Sequence, residues 1–548
     1  MKEGARLLLR NFSTAGLLVG TVFFAMSLTP TLLPRPDVMQ GVVSGLSLAA
    51  GYAVGAFGHW LWEYLELPQP RRRLVVRIIQ WGAAVFCLTL ALVFLWRATG
   101  WQNAVRELMG MDEAGAVQPL VVGLVAALVF LAVLLAGRLL RRAFLLPARW
   151  LRHHVPRRVS TVAGLVFAFL LFWSMVEGVL FSLALRAADR SYQQIDALVE
   201  PDFPAPESTY AAGSEHSLLS WEEMGRHGRR FIARRNPAAE IADFTGEPAR
   251  EPIRVYAGLN AAETPEQRAE LALRELRRTG AFERSMLLLI TPTGTGWVDQ
   301  AAMTPLEYLQ HGDIASVAAQ YSYLPSPLSL VFEGEYGTEM ARALFEEVYG
   351  YWKQLPEDER PELYLYGLSL GALNSDRSFD LYDIIDDPFQ GALWSGPPFR
   401  SDTWRTVTER RQPESPAWKP RFRDDSVVRF ANQDGGLEEG RADWGSFRVA
   451  YLQYASDPVT FFDPASMYRE PDWMREPRGP DVSDDLRWFP IVTLLQLTAD
   501  MTTGASPRGY GHDYAVEDYL DAWVALTEPE DWPQEKLAHL REMLKDRY

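Results

Sequence analysis

The chain has 548 residues, a formal net charge of −16 and one cysteine. It is long enough for more than one domain, and a single thiol excludes an intrachain disulfide and a cysteine-built metal site. The charge is split: residues 1–186 hold 18 Lys and Arg against 8 Asp and Glu, net +10, and the rest hold 36 against 62, net −26. An acidic back lacks the basic footprint that nucleic acid requires, so no nucleic-acid partner is expected.

The front is read as a transmembrane domain over residues 1–186. Five apolar runs, near 12–33, 42–65, 75–96, 119–140 and 159–185, each reach the roughly 20 residues that a helix needs to cross a bilayer. Arginine and lysine cluster before the first run, between the second and third (Arg71, Arg72, Arg73, Arg77) and between the fourth and fifth, where Arg138 to Arg158 supply seven. The other two connections hold only Arg35, Arg97 and Arg106. That alternation puts the N-terminus inside, and an odd number of spans leaves everything after about Arg186 outside. Gly51 and Gly55 form a G-x-x-x-G pair suited to close helix packing. Glu177, in the fifth run, is read as a hydrogen-bonding partner for a neighbouring helix.

Residues 187–251 read as a linker and membrane-proximal segment, with Pro201, Pro204 and Pro206 in a polar stretch. A helix over 220–233 carrying His227 is expected there, solvated or near the membrane. From residue 252 to 548 strands and helices alternate. Strands are expected at 253–259, 285–291, 328–332, 362–366, 391–394, 427–431 and 447–454, and helices at 264–278, 337–355, 514–527 and 534–545. Repeated β-α-β units predict an α/β domain with a mostly parallel sheet, whose ligands bind at the carboxyl ends of the strands.

The run from Glu362 to Leu373 reads as strand, tight turn and helix, with Ser369 at the turn in Gly367-Leu-Ser-Leu-Gly371. This is the G-x-S-x-G spacing of a nucleophile elbow. A serine needs a base to take its proton, and in this kind of site the order along the chain is serine, acid, histidine. Of eight histidines only His512 and His539 follow Ser369. His512 lies in a glycine-flanked loop and is preferred over His539, which lies in a charged helix. The acid should follow a strand between Ser369 and His512. Asp457, in Tyr454-Ala-Ser-Asp-Pro-Val459, is preferred, with Asp434 and then Asp463 behind it. The oxyanion is assigned to the N–H of Leu370 and to a donor from the loop Thr293, Gly294, Thr295 that ends the 285–291 strand.

The elbow, the Asp457 segment and the His512 loop resemble an α/β-hydrolase. With the front and its stretch Ser27-Leu-Thr-Pro-Thr-Leu-Leu-Pro-Arg35, they resemble a bacterial family of membrane-anchored α/β-hydrolases. The resemblance implies a serine-hydrolase-type catalytic domain behind a multi-span domain; with the arginine pattern, the expectation is a multi-pass protein of the bacterial inner (cell) membrane, with its N-terminus cytoplasmic and its catalytic domain on the periplasmic or extracellular side. No cofactor and no metal are expected. The loop at Thr293–Gly296 departs from the His-Gly-Gly-Gly type of many lipases, so that label does not carry over. The expected activity is ester or thioester cleavage by a Ser369–His512–Asp457 triad, on a small-molecule or lipid acyl substrate drawn from the bilayer or its surroundings. Acyl transfer to a cell-envelope acceptor and a non-catalytic scaffold are the alternatives. A lid is expected at 396–425.

Overall fold

The computed structural model describes residues 12–70, 72–113, 115, 118–151, 193, 195–324, 335–503 and 506–548. The chain divides into two compact units, one of residues 1–185 with 462–507, the other of residues 186–461 with 508–548.

The first unit is helical. Asp37–Tyr64, Arg73–Leu108 and Pro119–Leu140 are long and apolar enough to cross a membrane, matching the second, third and fourth expected spans. The first expected span appears as the shorter apolar helix Thr14–Ser27, and the fifth, with Glu177, lies outside the described residues. The Gly51 and Gly55 pair does what its spacing predicts. A Cβ on Gly55 would lie 2.4 Å from the Ala15 carbonyl oxygen, and one on Gly51 2.8 Å from that of Val19, so the two backbones meet directly. Phe24, Leu28, Ala98, Val122 and Ala126 form a buried cluster among these helices.

Residues 462–507 also belong to this unit, although they come late in the chain. They contain the short turns Pro464–Met467 and Asp472–Met474 and the helix Val492–Thr503. That helix packs on Asp37–Tyr64 and Thr14–Ser27. No apolar run marks it in the sequence.

The second unit holds a seven-stranded sheet: β1 Ile253–Ala257, β2 Met286–Thr291, β3 Ile314–Ala319, β4 Glu362–Leu368, β5 Gly391–Ser395, β6 Val428–Ala431 and β7 Arg448–Leu452. The order across it is β1-β3-β2-β4-β5-β7-β6, and every pairing is parallel. β3 (IASVAA) was not expected, because alanine and serine carry little strand signal. The strand expected at 328–332 lies outside the described residues.

Parallel strands need crossovers, and the helices supply them. Pro265–Thr279 opens with a Thr264/Gln267 capping box and closes on Gly280. It packs with Tyr336–Trp352, while Gln300–Leu309 packs with Val516–Thr527. Strand alternation assigns the faces. Tyr366 Oη bonds the Tyr519 hydroxyl and Tyr364 Oη the Leu526 carbonyl, so these side chains meet Val516–Thr527. Leu363 and Leu365 point the opposite way, also buried. A sheet covered on both faces in this way leaves only its strand ends for chemistry.

Candidate active site

β4 ends at Leu368, and the next residue turns the chain into the helix Leu370–Asp376. Ser369 sits at φ 58°, ψ −123°, a strained conformation for a residue with a side chain. Its N–H donates to the Ser395 carbonyl at 2.9 Å, which ties the turn to β5. The flanking glycines are sterically required. A Cβ on Gly367 would lie 2.4 Å from the Gly371 backbone, and one on Gly371 2.1 Å from the Thr291 oxygen. Both spaces are closed by backbone, which cannot move aside as a side chain can.

β7 neighbours β5 in the sheet, and Asp457 lies in the turn after it. The carboxylate is fully buried. Oδ1 accepts the N–H groups of Val459 (2.8 Å) and Thr460 (3.3 Å). Oδ2 accepts the hydroxyls of Thr460 (3.1 Å) and Tyr514 (2.6 Å) and lies 2.7 Å from His512 Nδ1. In the tautomer with its hydrogen on Nδ1, the ring donates to Oδ2 and presents a lone pair at Nε2. His512 Nε2 is buried and has no hydrogen-bond partner among the described residues.

The histidine loop is held from both sides. Gly511 N–H donates to Ser456 Oγ at 2.9 Å, and Ala515 N–H to Tyr454 Oη at 2.9 Å. Tyr454 stacks on Tyr514 at 4.6 Å. Gly396, at φ 51°, lies against the ring: a Cβ there would be 2.6 Å from His512 Cε1. Gly396, Ser456, Tyr454 and Tyr514 were missed in the sequence. Only the closeness of the two tyrosines to Asp457 and His512 along the chain hinted at them.

Thr291 pairs in register with Gly367, so the loop after β2 starts beside the elbow. Thr293 N–H donates to the Trp297 carbonyl (3.0 Å) and Gly296 N–H to that of Thr293 (2.8 Å). The Thr293 N–H is thus engaged inside the turn. The loop is braced from outside by Gln320 Nε2 on the Thr295 carbonyl (3.2 Å) and Tyr256 Oη on that of Gly296 (2.7 Å). Leu370 contributes the first amide of its helix, a position with no intrahelical acceptor.

The alternatives for the triad sit elsewhere. Asp434 lies in the turn after β6, which is the edge strand. Asp463 caps Pro464–Met467 in the helical unit, accepting the Ala465 N–H at 2.8 Å. His539 stacks on Phe244 at 5.0 Å. His227 lies in the helix Gly225–Ala233, which packs on β1 and is not a solvated helix. Burial, then Arg230 and Arg226, pushes His227 down to about 4, so it is neutral at pH 7. In the stretch expected to be a lid, Asp402–Glu409 is helical, and Trp404 is buried with its Nε1 on Gln453 Oε1 at 2.6 Å.

Residues 253–540 match the model of a family described as "Alpha/beta-hydrolase family", and residues 28–235 match the model of that family's N-terminus. No curated protein matches the chain, and no solved structure does.

Proposed function

Since the chain belongs to the alpha/beta-hydrolase family, we propose that it is a membrane-anchored serine hydrolase that cleaves an ester or thioester through an acyl-enzyme. The observation that carries this reading is the His512 Nδ1–Asp457 Oδ2 contact at 2.7 Å, together with a serine held at φ 58° between two glycines that cannot be replaced and tied by its N–H to Ser395, the neighbour of the Gly396 that lies against the His512 ring. Ser369 Oγ attacks the acyl carbonyl and its proton passes to His512 Nε2. Asp457 holds the ring and stabilises the imidazolium. Leu370 N–H and a donor from Gly294–Thr295 bind the oxyanion, Thr293 N–H being committed to Trp297. The proton then goes to the leaving alcohol or thiol. Water, deprotonated by the same histidine, releases the acid and restores the serine.

The N-terminus is assigned to the cytoplasm and the catalytic unit to the outer face of a bacterial inner membrane. The arginine distribution and the apolar helices support that topology. Anchoring at a bilayer favours a lipid or other apolar acyl substrate. The test is hydrolysis of p-nitrophenyl acyl esters of graded chain length by the purified full-length protein. Turnover that disappears in Ser369→Ala is the expected result. Turnover unchanged in that variant would remove the reading. Product analysis with an added alcohol separates release of the acid from transfer to an acceptor.

A further inference from the structure

The loop that follows β2 is gripped by side chains that come from two other strands. In the sheet β3 lies beside β2, and β1 beside β3. Gln320 is the residue after β3, and Tyr256 lies within β1. Both side chains are buried. A buried amide or phenol costs stability unless it is hydrogen-bonded, and both direct bonds at this loop. Tyr256 Oη donates to the Gly296 carbonyl at 2.7 Å. Gln320 Oε1 accepts the Leu259 N–H at 3.2 Å, which turns Nε2 towards the carbonyls of Thr295 (3.2 Å) and Ser322 (3.1 Å) and towards Asp196 Oδ2 (3.4 Å). Asp196 is fixed in turn, its Oδ1 accepting the Arg226 N–H at 3.0 Å. The grip leaves no slack. Gly296 has φ 86°, and a Cβ on it would collide with Tyr256 Oη and the Gln320 side chain.

The hold reaches the amides of the loop through its peptide planes. A trans peptide is planar, so its C=O and N–H point in opposite directions. Gln320 on the Thr295 carbonyl therefore aims the Gly296 N–H, which donates to the Thr293 carbonyl at 2.8 Å. That carbonyl shares its peptide with the Gly294 N–H. Two planar units thus connect Gln320 to the direction of the Gly294 amide, and Tyr256 fixes the next carbonyl along. The start of the same loop lies against the elbow, since a Cβ on Gly371 would meet the carbonyl oxygens of Thr291 and Pro292.

We propose that Tyr256 and Gln320 are positioning residues of the hydrolase: they set the direction of the amide that the Gly294–Thr295 segment offers to the oxyanion. The inference rests on the hydrolase reading above. Neither residue touches the substrate. Their effect is on charge that develops in the transition state, where a misdirected donor costs rate without costing substrate binding.

The experiment uses the purified full-length protein, with active sites counted by fluorophosphonate labelling. It measures hydrolysis of p-nitrophenyl butyrate and inhibition by an alkyl trifluoromethyl ketone. Ser369 Oγ adds to the carbonyl of that ketone, its proton passes to His512, and the hemiketal oxygen takes the place of the oxyanion. In Tyr256→Phe, which removes one hydroxyl, kcat per active site is expected to fall about 10-fold, with KM within about twofold. The ketone weakens by the same factor as kcat/KM. The matching trifluoromethyl alcohol, which cannot accept the serine, binds within about twofold of wild type. Gln320→Met behaves likewise and decides the question if Tyr256→Phe does not fold. Wild-type kcat and ketone affinity in the variants overturn the positioning role. So does equal weakening of ketone and alcohol, the mark of a generally distorted site, and so does a lower count of active sites at unchanged kcat per site. Absence of turnover and of ketone binding in wild type would overturn the hydrolase reading, and this inference with it.

Discussion

Asp457 accepts from two amides, two hydroxyls and an imidazole, which is close to the full capacity of a carboxylate. Such a residue is held in position. Tyr514→Phe removes one bond of this set. A charge-assisted hydrogen bond is worth on the order of 1.5 kcal/mol, so the labelling rate of Ser369 should drop about tenfold without loss of folded protein. An unchanged rate would mean that the remaining bonds suffice. Gly396→Ala is the sharper case. Its Cβ would enter the space of His512 Cε1, at a backbone φ of 51° that already disfavours a side chain. The variant should fold, since the atoms in the way belong to side chains and not to backbone, and should react slowly or not at all. At this scale Ser369, Asp457 and His512 could be picked out from motif, chain order and strand ends. Gly396 could not, because its role depends on a contact between residues 116 positions apart.

The elements show what pattern reading can and cannot reach. The capping box at Thr264 and the apolar run of β2 are local signals, and both elements lie where their residues put them. β3 escaped because burial by neighbouring strands, not its own side chains, makes it a strand. Asp457 is preferred to Asp434 for its place after the 447–454 strand; the sheet order, which a chain cannot display, adds that β7 inserts beside β5 and sends β6 to the edge.

Helix Val516–Thr527, which follows the histidine loop, carries a titration of its own. Burial pushes Asp518 up to about 7, and Tyr454 Oη donates to it. A raised carboxyl binds its proton more tightly in the folded state. Its contribution to stability is therefore complete below about pH 4, is lost as pH rises towards 7, and is absent above that. The melting temperature of Asp518→Asn should exceed that of wild type at pH 8 and match it at pH 4. Equal melting temperatures at pH 8 would show that Asp518 is not held protonated.

At the scale of the molecule, hydropathy marked three helices long and apolar enough to cross a membrane, because bilayer thickness imposes a length that few soluble helices reach with such composition. It could not mark residues 462–507, whose helix Val492–Thr503 is short and polar enough to pass for any surface element. The chain thus joins its two units not once, as its linear order suggests, but three times: near residue 186, after Phe461 and before Arg508. The assigned topology gives a direct expectation. A cysteine introduced at Tyr210, an exposed position of the sheet unit, should react with an impermeant maleimide in intact spheroplasts of a Cys87→Ala background. Reaction only after lysis would reverse the orientation.

The central claim is an activated serine, and the most direct measurement is the site of fluorophosphonate modification in the full-length protein. The account predicts a single adduct on Ser369, absent in Ser369→Ala and formed at least about a thousandfold more slowly in His512→Ala. An unmodified Ser369, under conditions where a control hydrolase reacts completely, would contradict it.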